Sequence, residues 1–223
     1  MAYKRVTVPR EIPSGEDLTR AMAGIGMRFA TDPLANPNIE DTLLAASVEA
    51  MGHGDLRVLS VLVTWLRVHH PWVNADRLTR AVSGQTSPRI RAFWSATAAW
   101  LGKDRRFARM AKFYQGQRVD VLPVGTEFQI ARSGEDPRFE GTPLRVPAGA
   151  LRDRSSDVLE PAELARIHRA YHQRVLMGPT YRADMWAALE AEPSLSASGL
   201  ARQTYGSFAT AWQVKGDFRI LAA

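Results

Sequence analysis

Apolar residues recur at helical spacing through most of the first hundred positions. Leu18, Met22, Ile25 and Phe29 fall on one stripe, which two prolines in "DPLANPN" then interrupt. Asn38 has the side chain of a helix cap, and Glu40 and Asp41 suit the positive end of a helix dipole. A second helix is therefore predicted through Ala50. Gly54 and Asp55 open a third, to about Val68, whose apolar residues run nearly all the way round. Such a helix belongs in the middle of a bundle.

Asn74 can cap a short helix to Val82, and Ser87 followed by Pro88 starts another through Trp100 and Leu101. Beyond Gly102 a basic helix is predicted from Asp104 to Tyr114. It would carry Arg105, Arg109 and Lys112 on one face, with Phe107, Met110, Ala111 and Tyr114 inward. The pattern changes at Gln115 to Gln117. From Arg118 to Ala150, short alternating apolar runs with frequent Gly and Pro predict a few strands and exposed turns rather than helices, as a small sheet or β-hairpin insertion.

The polar connector "RDRSSD" leads back to helical periodicity from Leu159 to Leu176, and three more helices follow. Tyr181, Met185 and Leu189 form the first apolar stripe, with Trp186 beside it. Ala197, Leu200 and Ala201 form the second, after the caps offered by "SLSAS"; Phe208, Ala211, Val214 and Phe218 form the third. Between the last two, "TYGS" turns the chain, with Gly206 expected at positive φ and Ser207 as a cap. The fold class is thus mainly α (α+β): a helical bundle over 1–117, a small β-rich segment over 118–150, and a C-terminal three-helix helix-turn-helix (winged-helix-like) domain over 159–223.

Composition removes several classes of chemistry. With no cysteine there are no disulfides, thiolate metal sites or cysteine nucleophiles. The most apolar run, "VLSVLVTWL", has nine residues, where a membrane-spanning helix needs about 20. The N-terminal "MAYKRVTVPREIPSGED" lacks the apolar centre of a secretory signal, so a cytoplasmic location with no membrane partner is expected. The net charge of +6 is unevenly placed: residues 89–118 alone carry eight basic side chains against Asp104.

Charge and pattern meet in the last helix, where Thr210, Gln213 and Asp217 lie opposite the apolar side. A helix-turn-helix needs an apolar face against its partner helix and a polar face free to enter the major groove. Thr210 and Gln213 are the candidate base readers, since Gln pairs bidentately with adenine and Thr offers a hydroxyl and a methyl. Ser207, Lys215 and Arg219 are candidate phosphate contacts, while Asp217 suits a local salt bridge. Residues 151–223 sum to only +1, so the basic patch of Arg105, Arg106, Arg109 and Lys112 would supply the missing charge. The other readings are a dimer interface or the end of a helical core for the last helices, and a solvated face or an acidic protein partner for the basic patch.

Other chemistry is thinly represented. His168 and His172 stand four apart but lack a third ligand nearby, and His69 and His70 adjoin a helix end. Four carboxylates in "GTEFQIARSGEDPRFEG" lie among turn residues with no spacing that forces a pair together, and "AMAGIGMRF" lacks the context of a nucleotide fingerprint. The six tryptophans read mostly as core. No catalytic residue, metal or cofactor is assigned.

Through "RADMW", "GLARQTYGSFATAW" and "VKGDF", the stretch from Tyr181 to Leu221 resembles the DNA-binding winged-helix modules of antitoxin-type proteins paired with nucleotidyltransferase-like toxins (type IV, AbiEi-like). The resemblance implies a protein that restrains a partner toxin and represses its own operon. In that family the module is N-terminal; here it is C-terminal, and "RILAA" leaves little length for a wing. The expected function is a DNA-binding antitoxin or transcriptional repressor, a homodimer on operator DNA with a toxin on its remaining surface. A protein-interaction or dimerisation module is the alternative, and a nucleic-acid-processing enzyme the next.

Overall fold

The computed structural model describes residues 12–222; the segment read as lacking a secretory signal lies, up to residue 11, outside the described residues. The protein is mainly helical with one two-stranded sheet. Its helices are α1 (Gly15–Gly24), α2 (Ile39–His53), α3 (Leu56–His69), α4 (Ala75–Ser83), α5 (Pro88–Trp100), α6 (Thr126–Ser133), α7 (Pro161–Ile167), α8 (Arg169–Met177), α9 (Tyr181–Ala191), α10 (Ala197–Gln203) and α11 (Phe208–Ala222). Among the described residues no helix is long and apolar enough to cross a membrane.

The caps seen in the sequence close their helices. Asn38 accepts from the Asp41 amide at 3.0 Å, Asp55 from Arg57 and Val58, and Asn74 from Arg77 at 3.1 Å. α3 lies in the middle of the bundle, with Leu59, Leu62, Val63, Trp65 and Leu66 fully buried. The Trp65 indole donates to the Ile25 carbonyl at 2.7 Å, tying α3 to the end of α1. This larger core runs on through Phe139, Leu144, Leu164 and Tyr171. A second, smaller cluster joins Met185, Leu189, Leu200, Ala201, Ala211 and Val214 across α9, α10 and α11.

Three segments differ from the sequence expectation. The basic stretch after Gly102 is two short 3-10 turns, Arg105–Phe107 and Met110–Lys112, rather than an α-helix. Phe107 and Met110, both fully buried, sit three residues apart and anchor the turns in the core. Ser95 of α5 donates its hydroxyl to the Met110 carbonyl and accepts from the Tyr114 amide, occupying the pair that an α-helix would join.

The insertion is a small sheet, one of the two forms expected, and not a hairpin, and it contains a helix where only strands and turns were expected. Val119–Asp120 and Leu144–Arg145 pair as parallel strands β1 and β2, and α6 supplies part of the connection that a parallel pair requires. Arg118 with Glu135, Arg138 with Asp136 and Arg145 with Asp120 hold this segment together by ion pairs. The helical stretch from Leu159 to Leu176 is broken at His168 (φ −117°, ψ 105°) into α7 and α8. The buried His168 ring accepts from the Tyr171 amide at 3.1 Å and donates to the Pro37 carbonyl at 3.0 Å, which fixes the Nε2–H tautomer.

Buried charge fastens the last helices to the bundle. Arg174 of α8, 1% exposed, donates from Nη1 and Nη2 to the two carboxylate oxygens of Glu40 (2.7 and 2.9 Å) and from Nε to Asp184 of α9 (2.7 Å). Burial opposes the charge on Arg174, but Asp184 and Glu40 outweigh it and hold its pKa above the ordinary arginine value. Replacing Arg174 by Met leaves two buried carboxylates without their cation. It is expected to lower the free energy of unfolding by about 3–5 kcal/mol in denaturant titration.

His69 is buried as His168 is. Its Nε2 donates to the Leu159 carbonyl at 3.0 Å and its Nδ1 accepts from the Tyr171 hydroxyl at 2.7 Å. Burial lowers both pKa values from 6.5 to about 4. The unfolded chain therefore takes up protons that the folded chain refuses. Stability is complete above about pH 6.5 and falls as the pH drops towards about 4, by about 3 kcal/mol for each ring. Unfolding titrations between about pH 7 and about pH 4.5 should show this decline, with His168→Asn, whose Oδ1 can still accept the Tyr171 amide, removing about half of it.

Candidate nucleic-acid interface

The three terminal helices are set by local rules. Thr180 caps α9 and Ser196 caps α10, accepting from the Gly199 amide at 3.0 Å. A four-residue turn, Thr204 to Ser207, then leads into α11. The residue at positive φ in this turn is Tyr205 (φ 58°), not Gly206. At 206 a Cβ would run into Met185 Cε, so this methionine, buried in the small core, would have to move; Tyr181 Cβ would lie 3.6 Å away.

Tyr205 is held in its conformation by α2 and α4. The Arg77 guanidinium lies 3.6 Å from the centre of its ring, and its hydroxyl donates to Asp41, which is also ion-paired with Arg77. Burial and the Asp41 charge push the Tyr205 pKa up to about 12. Tyr181, at the start of α9, donates to Asp76 of α4 at 2.9 Å. The three-helix unit is thus pinned by polar contacts at α8, α9 and the α10–α11 turn.

α11 buries Ala211 and Val214 against α9 and α10, with Phe218 packed edge-on to Trp186 at 5.3 Å. Its outward face carries Ala209, Trp212, Gln213, Gly216, Arg219 and Ile220, all exposed. The predicted residues divide on this surface. Gln213 stands at the edge of this face nearer Thr210, one turn from each of the small Ala209 and Gly216. Thr210 is half-buried at the border, and Ser207 caps α11 by accepting its amide at 3.0 Å; their hydroxyls lie 2.7 Å apart. Lys215 donates to the Leu195 carbonyl, Asp217 pairs with Arg182 at 2.9 Å, and Arg219 is exposed.

Trp212 is the outlier of the six tryptophans. At 69% exposure it borders a groove of about 340 Å³ with Arg219, Lys215 and Ser196. A helical wheel carried the signal, because position 212 falls outside the stripe of Ala211, Val214 and Phe218. Its apolar character alone suggested core.

The basic stretch also divides. Arg106 is spent on its own fold, paired with Asp104 and donating to the carbonyls of Val73 (3.2 Å) and His70 (3.1 Å). Arg89 donates to the Met51 and Val121 carbonyls, and Arg118 pairs with Glu135. Arg105, Arg109 and Lys112 are exposed. Arg109 and Arg106 line a cleft of about 500 Å³ whose other wall includes Thr180 and Tyr181. Tyr181 therefore borders both the basic turns and, through Gly206, the entry to α11.

The remaining candidates have structural surroundings. His168 is buried while His172 is exposed, and among the described residues no cluster of three or more His, Asp or Glu is arranged to hold a metal. Glu135 and Asp136 are ion-paired. Comparison of the chain with protein-family models, curated proteins and solved structures finds no match.

Proposed function

We propose that the protein binds operator DNA through α11 and acts as a transcriptional repressor. One observation carries this reading: α11 presents Gln213, whose amide can pair with adenine, between Ala209 and Gly216, on a helix fixed from behind. Small residues beside the reader let the helix backbone approach base edges closely. Arg105, Arg109 and Lys112 contribute phosphate contacts, because Tyr181 adjoins both their segment and the start of α11. Arg219 contributes another from the far end of α11. Thr210 has a smaller share in base readout, since its hydroxyl is engaged by Ser207. Restraint of a nucleotidyltransferase-like toxin, implied by the sequence resemblance, belongs to the same proposal and would use surface away from α11.

A second reading has its own observation. Trp212, Ile220 and Leu221 are 69%, 76% and 77% exposed, which suits a protein contact such as a homodimer seam along the same helix. Gel-shift titration on the DNA upstream of the protein's own gene separates the two. Under the DNA reading, Gln213→Ala costs about 1–3 kcal/mol on the preferred sequence and narrows the gap to other sequences. Reversal of Arg105 and Arg109 weakens binding to all sequences and flattens its salt dependence. Under the second reading there is no shift at low salt, and Trp212→Ala lowers the molecular mass measured by sedimentation.

A further inference from the structure

A second cationic site lies away from α11 and involves none of the residues assigned to DNA. The first two turns of α3, the exposed side of α6 and the segment 148–154 enclose a cleft of about 380 Å³. Arg57, Arg152 and Arg154 all line it, together with Ser60 and Gln129, and no carboxylate does. Of the acids nearest in sequence, two are engaged away from the cleft arginines' side chains and the third, Asp157, pairs with Arg154 itself. Asp55 accepts from the Arg57 and Val58 amides, Asp153 pairs with Arg67 at 3.0 Å, and Asp157 lies 3.7 Å from Arg154 Nη1.

The site has a built component. The Arg154 amide donates to Thr64 of α3 at 3.1 Å, which fixes this residue against the helix, and its Nε is buried with no hydrogen-bond acceptor. That Nε is sealed from solvent, so an anion in the cleft would meet the exposed part of the Arg154 side chain, which Asp157 shares. Ser60 is buried at the cleft wall, where its hydroxyl donates to the Leu56 carbonyl and keeps its own oxygen free to accept. Gln129 adds an amide from the opposite side.

We propose that this cleft binds a small, multiply charged phosphate ester, with its phosphates on Arg57, Arg152 and Arg154 and its neutral part against Gln129 and Ser60. Guanidinium forks match phosphate oxygens bidentately, and Arg57 and Arg152, with Arg154 shared by Asp157, concentrate positive potential in a cleft lined by no carboxylate, where a compact anion fits. The volume falls at the small end of ligand sites, about 300–1,000 Å³. Nucleic acid fits less well, because its phosphates follow one another along a strand and call for an extended stripe of cations rather than a concave cluster. The proposal also gives residues 118–150 a task, since α6 and the turn at Ala148 to Ala150 form part of the wall.

Calorimetric titration of the full chain with inorganic pyrophosphate, ADP and AMP tests this. Saturable binding of pyrophosphate and ADP at one site per chain is expected, with ADP tighter through its neutral part. Arg57→Glu and Arg152→Glu should each weaken it about ten-fold or more, and Arg152→Lys less. Both residues are exposed, so circular dichroism and melting temperature should stay unchanged. Arg109→Glu, in the basic turns, should leave the affinity as it is. Absence of saturable binding at low salt would overturn the proposal, as would equal weakening by Arg109→Glu, which would mark a diffuse charge effect. Oligonucleotide binding that depends on Arg57 and Arg152 but resists competition by pyrophosphate would assign the cleft to nucleic acid instead. Gel shifts with the same variants keep this test separate from the operator reading.

Discussion

The position of the C-terminal helices depends on one guanidinium. Arg174 is sealed from water yet charged, and its three nitrogens are divided between Glu40 at the start of α2 and Asp184 on α9. Two carboxylates and a carbonyl, that of Trp72, satisfy it from three different elements. The geometry of a planar fork allows little angular play, so α8, α2 and α9 are held in one arrangement. Buried ion pairs are often no more stabilising than an apolar seam of similar volume, so what this one adds is its directional geometry. Glu40 also accepts the Asn74 amide at 2.9 Å, which carries the same constraint into the start of α4.

From α4 the constraint reaches the turn before α11. Asn74 starts α4; Arg77, one turn on, stacks on Tyr205, and Asp76 receives the Tyr181 hydroxyl. Tyr205 occupies the left-handed region, which is unfavourable for a bulky side chain, and it does so where its ring is held by a cation and its hydroxyl by a carboxylate. The turn before α11 is therefore shaped by α2 and α4 as much as by its own four residues. Where α11 begins is thus fixed through Tyr205 by α2 and α4, while its length packs on α9 and α10.

Most of the helices were legible because their signals are local. Asn38, Asp55, Asn74 and Ser196 cap where their sequence surroundings indicate, and α3 buries nearly all its faces as its apolar circumference requires. The failures came from partners distant in sequence. Ser95 interrupts what Asp104 to Tyr114 would otherwise form, and the Pro37 carbonyl draws the His168 ring into a helix break 131 residues away. No periodicity encodes either. The parallel pairing of β1 and β2 was hidden for the same reason, as two-residue strands are too short to alternate. At the candidate interface the sequence placed Ala211 and Val214 on the buried side of α11 but misplaced Phe208 and Trp212, both exposed, and did not separate the free from the engaged: Thr210 and Lys215 look available until Ser207 and the Leu195 carbonyl are seen to hold them. The arginine cleft was illegible because Arg57 and Arg152 stand almost a hundred positions apart.

Charge then limits what α9 to α11 could do alone as a DNA-binding unit. Arg182 is neutralised by Asp217 and Lys215 is turned inward, leaving Arg202 and Arg219 as its exposed cations. Two phosphate contacts give weak affinity at physiological salt, because each released counterion contributes only part of the total. The cations of Arg105, Arg109 and Lys112 can add to these only if the two parts keep a constant spacing on the duplex, since a hinged connection would forfeit the gain to orientational freedom. The buried network around Arg174 removes that freedom in advance. Under the operator-binding reading, the desolvation cost of a buried charge and the strain at Tyr205 both fall where a fixed angle between reader and phosphate contacts is required.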